Sequence, residues 1–509
     1  MSPKDRTRDK DALVSGILSA VLMGAGQLRN KQKGKALFFF SILIVFVLIE
    51  LLTGSYQYYP SEVVSSPMGS DGRFFFFRDY GGMFTRGIWG LVTLGELVWK
   101  QPYRGMETVT FHKNIPWLSA DNSVSLLIAG LIAVVILSVL VGAWIVNIRD
   151  AYKTRKRMNE GKYVSLKGKE FFKELYDDIL PWLLLVPVVS LIAMFTVIPV
   201  LFSFLLAFTN YTYRIMPPSR LIEWVGFGNF AQVVSDPAWF SIFGRVLLWT
   251  AIFAVMASVT CYALGFINAL VIESKPVKAK RFWRTIMIIP WAVPGMISLM
   301  VFKNAFDTQG LINKILYATN SMEGVSQFLY NIGLQGQPDN PIYWFSQTYN
   351  GTLAKFVVIL VNLWLGAPYF MMLITGTLTT IPKDLYEAAS IDGATGWRKF
   401  KAIALPLVLK GTAPAIVMTF THNFNNFGSI YYLTGGGPAW VYSEVPQTMK
   451  VMGGIPGQTD ILISWIFKLS FTQNAQLYNV AAVYSILIFI FVAVFSVVNL
   501  ARNKAVWEE

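Results

Sequence analysis

The sequence predicts an all-α polytopic membrane protein, and three observations carry that prediction. Hydrophobic residues make up 54% of the chain and charged residues 14%, against about 25% charged in a typical soluble domain. The apolar residues fall in runs of about 20, the length that a hydrocarbon core of roughly 30 Å demands of a helix. Lysine and arginine concentrate in alternate connections between those runs, as the positive-inside rule requires. The runs must be helices, because lipid offers no partner to an unpaired backbone amide or carbonyl.

Eight spans follow in order: Ala36–Thr53, Val124–Val146, Leu180–Phe208, Val246–Ile272, Thr285–Phe302, Phe356–Gly376, Gly411–Ile430 and Val480–Leu500. A further apolar stretch, Leu13–Leu28, is short, contains Gly16, Gly24 and Gly26, and has basic clusters on both sides. It reads as a re-entrant or interfacial helix in preference to a true span. The basic N-terminus superficially resembles a signal peptide, but Arg29 to Lys35 is basic immediately after the apolar stretch and no small-residue cleavage site follows, so it reads as uncleaved.

With the N-terminus inside, segments 1–35, 147–179, 273–284, 377–410 and 501–509 hold 29 of the 43 lysines and arginines. Both termini are therefore expected in the cytoplasm, and the loop 54–122 outside. Within that loop Met83–Trp99 looks amphipathic, which suits either the membrane interface or packing against the helices. Two regions are expected: residues 1–179, with two spans, the outer loop 54–122 and a basic linker 147–179, and residues 180–509, a six-span core with a cytoplasmic loop at 377–410. The chain carries no internal repeat.

Composition also excludes. Cys261 is the only cysteine and lies in an apolar run, so neither an internal disulfide nor a cysteine-based metal site is available. His112 and His422 are too far apart to suggest a local metal motif. The net charge of +14 is explained by basic residues flanking spans, not by nucleic acid. The last six spans contain no Asp or Glu, and intramembrane carboxylates are the usual mark of an ion-coupled carrier. A phosphate-binding loop is missing too, since Tyr163 follows Gly161-Lys162 where Ser or Thr is needed. Energy for uphill transport would have to come from another chain.

The most informative segment is the cytoplasmic loop between spans six and seven. Pro382-Lys383-Asp384-Leu385-Tyr386-Glu387-Ala388-Ala389-Ser390-Ile391-Asp392-Gly393 leads on to Ile403-Ala404-Leu405-Pro406. Pro382 suits a helix start and Asp384 its positive end. Ala388 and Ala389 favour helix and leave no bulk against an approaching surface. Gly393 supplies the freedom to reverse direction. The pattern is helix, break, helix.

Glu-Ala-Ala, a glycine four residues after the second alanine and a later Ile-x-Leu-Pro resemble the signature of binding-protein-dependent ABC importer permeases. The resemblance implies a type I ABC importer permease fold and a coupling helix that docks on an ATPase subunit through Glu387, Ala388, Ala389 and Gly393. Residues from about Leu180 to Leu500 look like the larger permease subunit of maltose/maltodextrin importers. They share Pro290-Trp291-Ala292-Val293-Pro294, Val361 to Tyr369, Asn423-Phe424-Asn425-Asn426-Phe427 and Leu433 to Pro438. Enteric members carry a large extracytoplasmic insert after their third span. This chain lacks one of that size and looks like the compact relatives of Gram-positive bacteria.

Polar residues recur at helical spacing in these segments. Asn362, Gly366 and Tyr369 share a stripe, Asn423 and Asn426 are three apart, and Trp291 and Gly295 are four apart. Amides offer both donors and acceptors to sugar hydroxyls, and aromatic rings offer a flat surface to a pyranose. Asparagine in a membrane helix also serves helix packing, so residue types alone leave both roles open. The resemblance assigns sugar contacts to Trp291, Gly295, Asn362, Leu365, Gly366, Tyr369, Asn423 and Asn426. The family member whose contacts can be matched has Tyr where Trp291 stands and Ser where Gly295 stands, which points to a different or longer sugar. His422 reads as a packing histidine in preference to a pore-lining one.

The resemblance therefore implies a bacterial inner-membrane permease without catalytic residues, metal or cofactor of its own. It would pair with a second permease, two ATPase subunits that bind ATP and Mg, and an extracellular sugar-binding protein. The expected cargo is a maltodextrin-type oligosaccharide, with raffinose-, galactan- or alginate-type sugars as alternatives and a self-sufficient secondary carrier as the rival class. No nucleic acid is expected.

Overall fold

The computed structural model describes residues 3–54, 81–95, 122–162, 184–215, 217, 220–274, 276–346, 351–440, 445, 450, 453–472 and 476–502. Most of the loop 54–122, the linker beyond residue 162, the start of the third span and the last seven residues lie outside them. The described residues are helical and form two compact units, Met1–Gly226 and Phe227–Glu509. By length and apolarity seven helices can cross a membrane, or eight if one sharply bent pair counts as a single span.

The first unit holds α1 (Pro3–Val21), α2 (Ala25–Arg29), α3 (Lys33–Thr53), α4 (Met83–Val92), α5 (Ser123–Asn159) and α6 (Leu184–Leu206). The apolar stretch near the N-terminus is not one helix but two. The chain turns back at Gly24, whose φ of 86° lies in the left-handed region that glycine adopts without strain. Segment α4 is packed against helices. Its first amides, those of Gly82, Phe84 and Thr85, bond the Glu50 carboxylate near the C-terminal end of α3, a charge well placed at a helix N-terminus. Gly87 and Gly90 then bring α4 close to α5, where a Cβ on Gly87 would stand 2.5 Å from that of Ala133. Close approach through small residues is how helices associate in lipid.

The second unit holds α7 (Gly228–Ser235), α8 (Pro237–Glu273), α9 (Lys280–Ala292), α10 (Gly295–Ala305), α11 (Leu311–Ala318), α12 (Met322–Asn331), α13 (Thr352–Thr380), α14 (Lys383–Ile391), α15 (Gly396–Phe424), α16 (Phe427–Tyr431), α17 (Leu462–Phe471) and α18 (Tyr478–Arg502). Helices α8 and α13 form its centre. A Cβ on Gly265 would stand 2.6 Å from that of Phe370, so the two backbones are nearly in contact there. One apolar cluster gathers Trp249, Phe253, Val357, Val361, Ile430 and Ile461. A second gathers Phe266, Phe370, Ile374, Ile381 and Val408.

Two predicted spans differ from the structure. The fifth, Thr285–Phe302, is not one helix: α9 and α10 meet at 86°. Pro294 is the cause, since it forces the preceding Val293 into an extended conformation with ψ 133°. The seventh, predicted as Gly411–Ile430, starts much earlier and stops sooner. Thr395 caps its start by accepting from the Arg398 amide, and the helix passes through a π turn at Phe400–Ala404 before Pro406. It ends at Asn425, where Asn426 caps the separate helix α16.

Candidate functional site: a polar cavity and an exposed helix

A cavity of about 700 Å³ lies in the second unit, walled by the α9–α10 bend, α13, the end of α15 and α16. All eight residues predicted to contact a sugar line it. The continuous helix α13 delivers Asn362, Leu365, Gly366 and Tyr369 on one face, as their spacing requires. Trp291 and Gly295 do not share a helical stripe, because the chain breaks between them at Val293–Pro294. The break nonetheless turns both toward the same space. Asn423 and Asn426 likewise fall on two helices, α15 and the cap of α16.

The amides form a connected network. Asn426 Nδ2 donates to Asn362 Oδ1 at 3.2 Å and to Asn423 Oδ1 at 3.5 Å. Ser429 Oγ also donates to Asn362 Oδ1, at 3.4 Å. Asn423 Nδ2 donates to Ser258 Oγ on α8 at 3.1 Å. Asn426 Oδ1 accepts from the Ser429 amide at 3.1 Å, which locks that side chain as a helix cap. Asn362 Nδ2 has the Cys261 sulfur at 3.8 Å, a weak acceptor. That donor is therefore the group with most to gain from a hydroxyl.

Trp291 supplies the aromatic surface. It is 56% exposed, and its ring centroid lies 6.0 Å from that of Tyr369 at a tilt of 44°. Gly295 leaves room beside it, with no atom within 4 Å of a Cβ placed there. The lining residues include no Asp, Glu, Lys or Arg. Among the described residues no three His, Cys, Asp or Glu side chains converge as metal ligands.

Comparison with known proteins decides the family. Residues 264–505 match the family model described as binding-protein-dependent transport system inner membrane component. The chain is 34% identical over 470 residues to the galactooligosaccharides transport system permease protein GanP of Bacillus subtilis, covering 91% of this chain and 99% of that one. It is 33% identical over 489 residues to the maltodextrin transport system permease protein MalC of Streptococcus pneumoniae, covering 96% and 95%. The chain belongs to the permease subunits of binding-protein-dependent ABC importers. It is also 34% identical over 282 residues to the maltose/maltodextrin permease protein MalF of Klebsiella aerogenes, covering 55% of this permease and 49% of that one. The permease is thus MalF-like without the large extracytoplasmic insert.

The loop between α13 and α15 folds as helix, break, helix, as its sequence predicts. Helix α14 buries none of its residues within the chain, and Glu387, Ala388 and Gly393 are exposed, with Ala389 half-buried. Gly393 has φ 72° and reverses the chain toward α15. Tyr386 and Phe400 pack against the inner apolar cluster, and Phe400 meets Phe266 edge-on at 5.5 Å. The loop is therefore joined mechanically to α8.

Sequence reasoning missed several residues here. Ser258 and Cys261 sit one turn apart on α8 and back the amide network; only their place in an otherwise apolar run marked them. Ser429 could have been found three residues after Asn426, as a capping pair. His422 is exposed and lines the cavity, so it is not the packing residue the sequence favoured: the last turn of α15 turns it toward the open space of the cavity. Ile391, the last residue of α14, is 88% exposed, and Trp397, in the first turn of α15, is 72% exposed. Neither belongs to the motif that drew attention to the loop.

Proposed function

We propose that this permease conducts a neutral, maltodextrin-type oligosaccharide into the cell. The observation that carries the reading is the convergence of Trp291, Tyr369 and the three linked amides on one cavity without a charged lysine, arginine or carboxylate. A sugar ring would stack on Trp291, and its hydroxyls would exchange with the mutual bonds of Asn362, Asn423 and Asn426. An acidic polysaccharide is less well served, because buried uronate charge needs a compensating cation. Galactooligosaccharide remains the second reading, since the permease named for it in Bacillus subtilis is as similar as the maltodextrin permease.

In this reading an extracellular binding protein delivers the sugar, and a second permease completes the pathway. Two ATPase subunits bind ATP and Mg and supply the energy. Helix α14 docks in an ATPase groove through Glu387, Ala388, Ala389 and Gly393, with Ile391 and Trp397 as apolar anchors. Closure of the ATPase pair moves α14, and Tyr386 and Phe400 carry that motion to α8 and α13. Both termini lie in the cytoplasm in this reading, which the lysine and arginine distribution supports. The six-span core begins near residue 180.

Uptake per assembled complex tests the assignment. Asn362→Ala and Trp291→Ala should each lower it about tenfold, the effect of one unmade hydrogen bond or lost stacking contact of about 1–3 kcal/mol. The complex should still assemble and hydrolyse ATP. Unchanged uptake per complex in both variants would make these residues helix-packing groups. A binding screen on the partner binding protein would name the sugar.

A further inference from the structure

The N-terminal hairpin of α1 and α2 is built inside out. Along α1 the residues packed against α5 are Ala12, Ser15, Gly16 and Ser19. The residues turned outward are Leu13, Val14, Ile17, Leu18, Val21 and Leu22, with Val21 77% exposed. A largely buried polar network closes the hairpin and joins it to α5. Ser15 Oγ donates to Asn30 Oδ1, and Asn30 Nδ2 to the Ala151 carbonyl. Gln27 Nε2 bonds the Asn147 carbonyl, Asn147 Nδ2 bonds the Ser19 carbonyl, and Asn147 Oδ1 accepts from the Gly24 amide at the hairpin tip. A helix folded for water does the reverse. One in lipid satisfies its polar groups internally and turns its apolar side chains out.

Register sets how deep the hairpin reaches. Arg155 bonds Asp11 at one end of the hairpin, and Trp144 Nε1 bonds the Ser19 carbonyl near the other. The tip thus lies level with the inner end of the apolar part of α5, where span turns to polar sequence. The stripe from Leu13 to Leu22 is about 14 Å long and runs from that level back along the polar part of α5, from Asn147 to Arg155, so its Val21–Leu22 end meets the edge of the hydrocarbon and the rest lies at headgroup depth. Around its base Lys31, Lys33 and Lys153 are exposed, while Lys35 is paired with Asp150 at 3.2 Å. A basic collar below an apolar stripe complements a leaflet with anionic headgroups.

We propose that α1 and α2 form an interfacial hairpin on the N-terminal side of the membrane, with its Val21–Leu22 tip against the headgroup-proximal acyl chains and the lysine collar among anionic phospholipid headgroups. The proposal is independent of the sugar assignment, and its test reads lipid contact, not transport. The full chain is placed in nanodiscs of phosphatidylcholine and phosphatidylglycerol, with a polarity-sensitive fluorophore on Val21→Cys or on Lys31→Cys. The unlabelled parent with its buried Cys261 gives the background.

Nitroxides on shallow acyl positions should quench the Val21 label about twofold or more over the Lys31 label, and aqueous iodide should do the opposite. Iodide reaching Val21 as readily as Lys31 would overturn the proposal. So would protection of Val21 from both quenchers, which would mean that protein covers the stripe. Raising the phosphatidylglycerol fraction should increase acyl quenching at Val21, and the triple variant Lys31→Gln, Lys33→Gln, Lys153→Gln should lose that increase. An identical lipid response in parent and triple variant would remove the headgroup contact.

Discussion

The Cys261 sulfur stands 2.7 Å from where a Cβ on Gly366 would lie. The cavity wall on α13 is therefore set by a thiol on α8, and alanine at 366 has no room unless that thiol moves. Gly366→Ala should destabilise the permease by about 1–3 kcal/mol, the usual cost of overpacking. Cys261→Ala removes the obstructing atom, and the double variant should recover most of the loss. Thermal unfolding in detergent measures both. Equal destabilisation in the single and double variants would mean that Gly366 is needed for some other reason, such as access to the cavity.

Gly295 faces open space, so a hydroxymethyl group fits there without displacing anything. Gly295→Ser with Trp291→Tyr restores the pair carried by the matched maltose permease. The double variant should assemble normally and shift uptake toward the shorter sugar, by about tenfold in the ratio of maltose to a longer maltodextrin for a hydrogen bond of about 1.4 kcal/mol. Transport of the two labelled sugars in competition reads the ratio. An unchanged ratio would place sugar-length selection outside this wall.

The sequence read the membrane spans well because their signal is physical length against bilayer thickness. It read α13 residue by residue, since a straight helix preserves its spacing. It failed where the chain bends. The spacing of Trp291 and Gly295 looked helical, yet Pro294 breaks the helix and only the fold returns both to one cavity. Asn423 and Asn426 were read as one face when Asn426 is in fact a cap. The groups behind the cavity, Ser258 and Cys261, were illegible because nothing local tells a buried Ser or Cys facing a polar network from one facing lipid. His422 was misread for a related reason: its exposure depends on the cavity that other helices form beside it.

Gly393 holds φ 72° between α14 and α15, and no atom lies within 4 Å of a Cβ there. Substitution is therefore strained by backbone alone, by about 1–2 kcal/mol. Gly393→Val should leave the chain in the membrane but tilt α14 away from its docking angle, and Glu387→Lys should reverse a charge on the docking face. Both should lower ATPase co-purification and uptake while total membrane yield holds. Normal co-purification in both variants would contradict docking through this loop.

Asp460 is fully buried and pairs with Lys468 at 2.5 Å. Its carboxylate also accepts from the Gly457 amide at 2.6 Å and from Ser464 Oγ at 2.8 Å. The neighbouring Thr459 bonds Thr434, and its carbonyl accepts from Trp249, so this segment ties the Gly435–Gly437 turn after α16 to α8. Burial pushes the Asp460 carboxyl above the usual range, while Lys468, Gly457 and Ser464 pull it back. Lys468→Met removes the strongest opposing group and should cost about 3–5 kcal/mol. The raised value then stands unopposed by a cation, so the folded state holds a proton that the unfolded state releases. Stability of that variant should be highest in acid and fall as pH rises past the ordinary carboxylate range. Asp460→Asn combined with Lys468→Met leaves no buried charge, so it should be more stable than Lys468→Met alone and lose the pH dependence. Thermal unfolding of the three proteins between mildly acidic and neutral pH decides it: a flat profile for Lys468→Met would show that water, not Lys468, keeps Asp460 ionised.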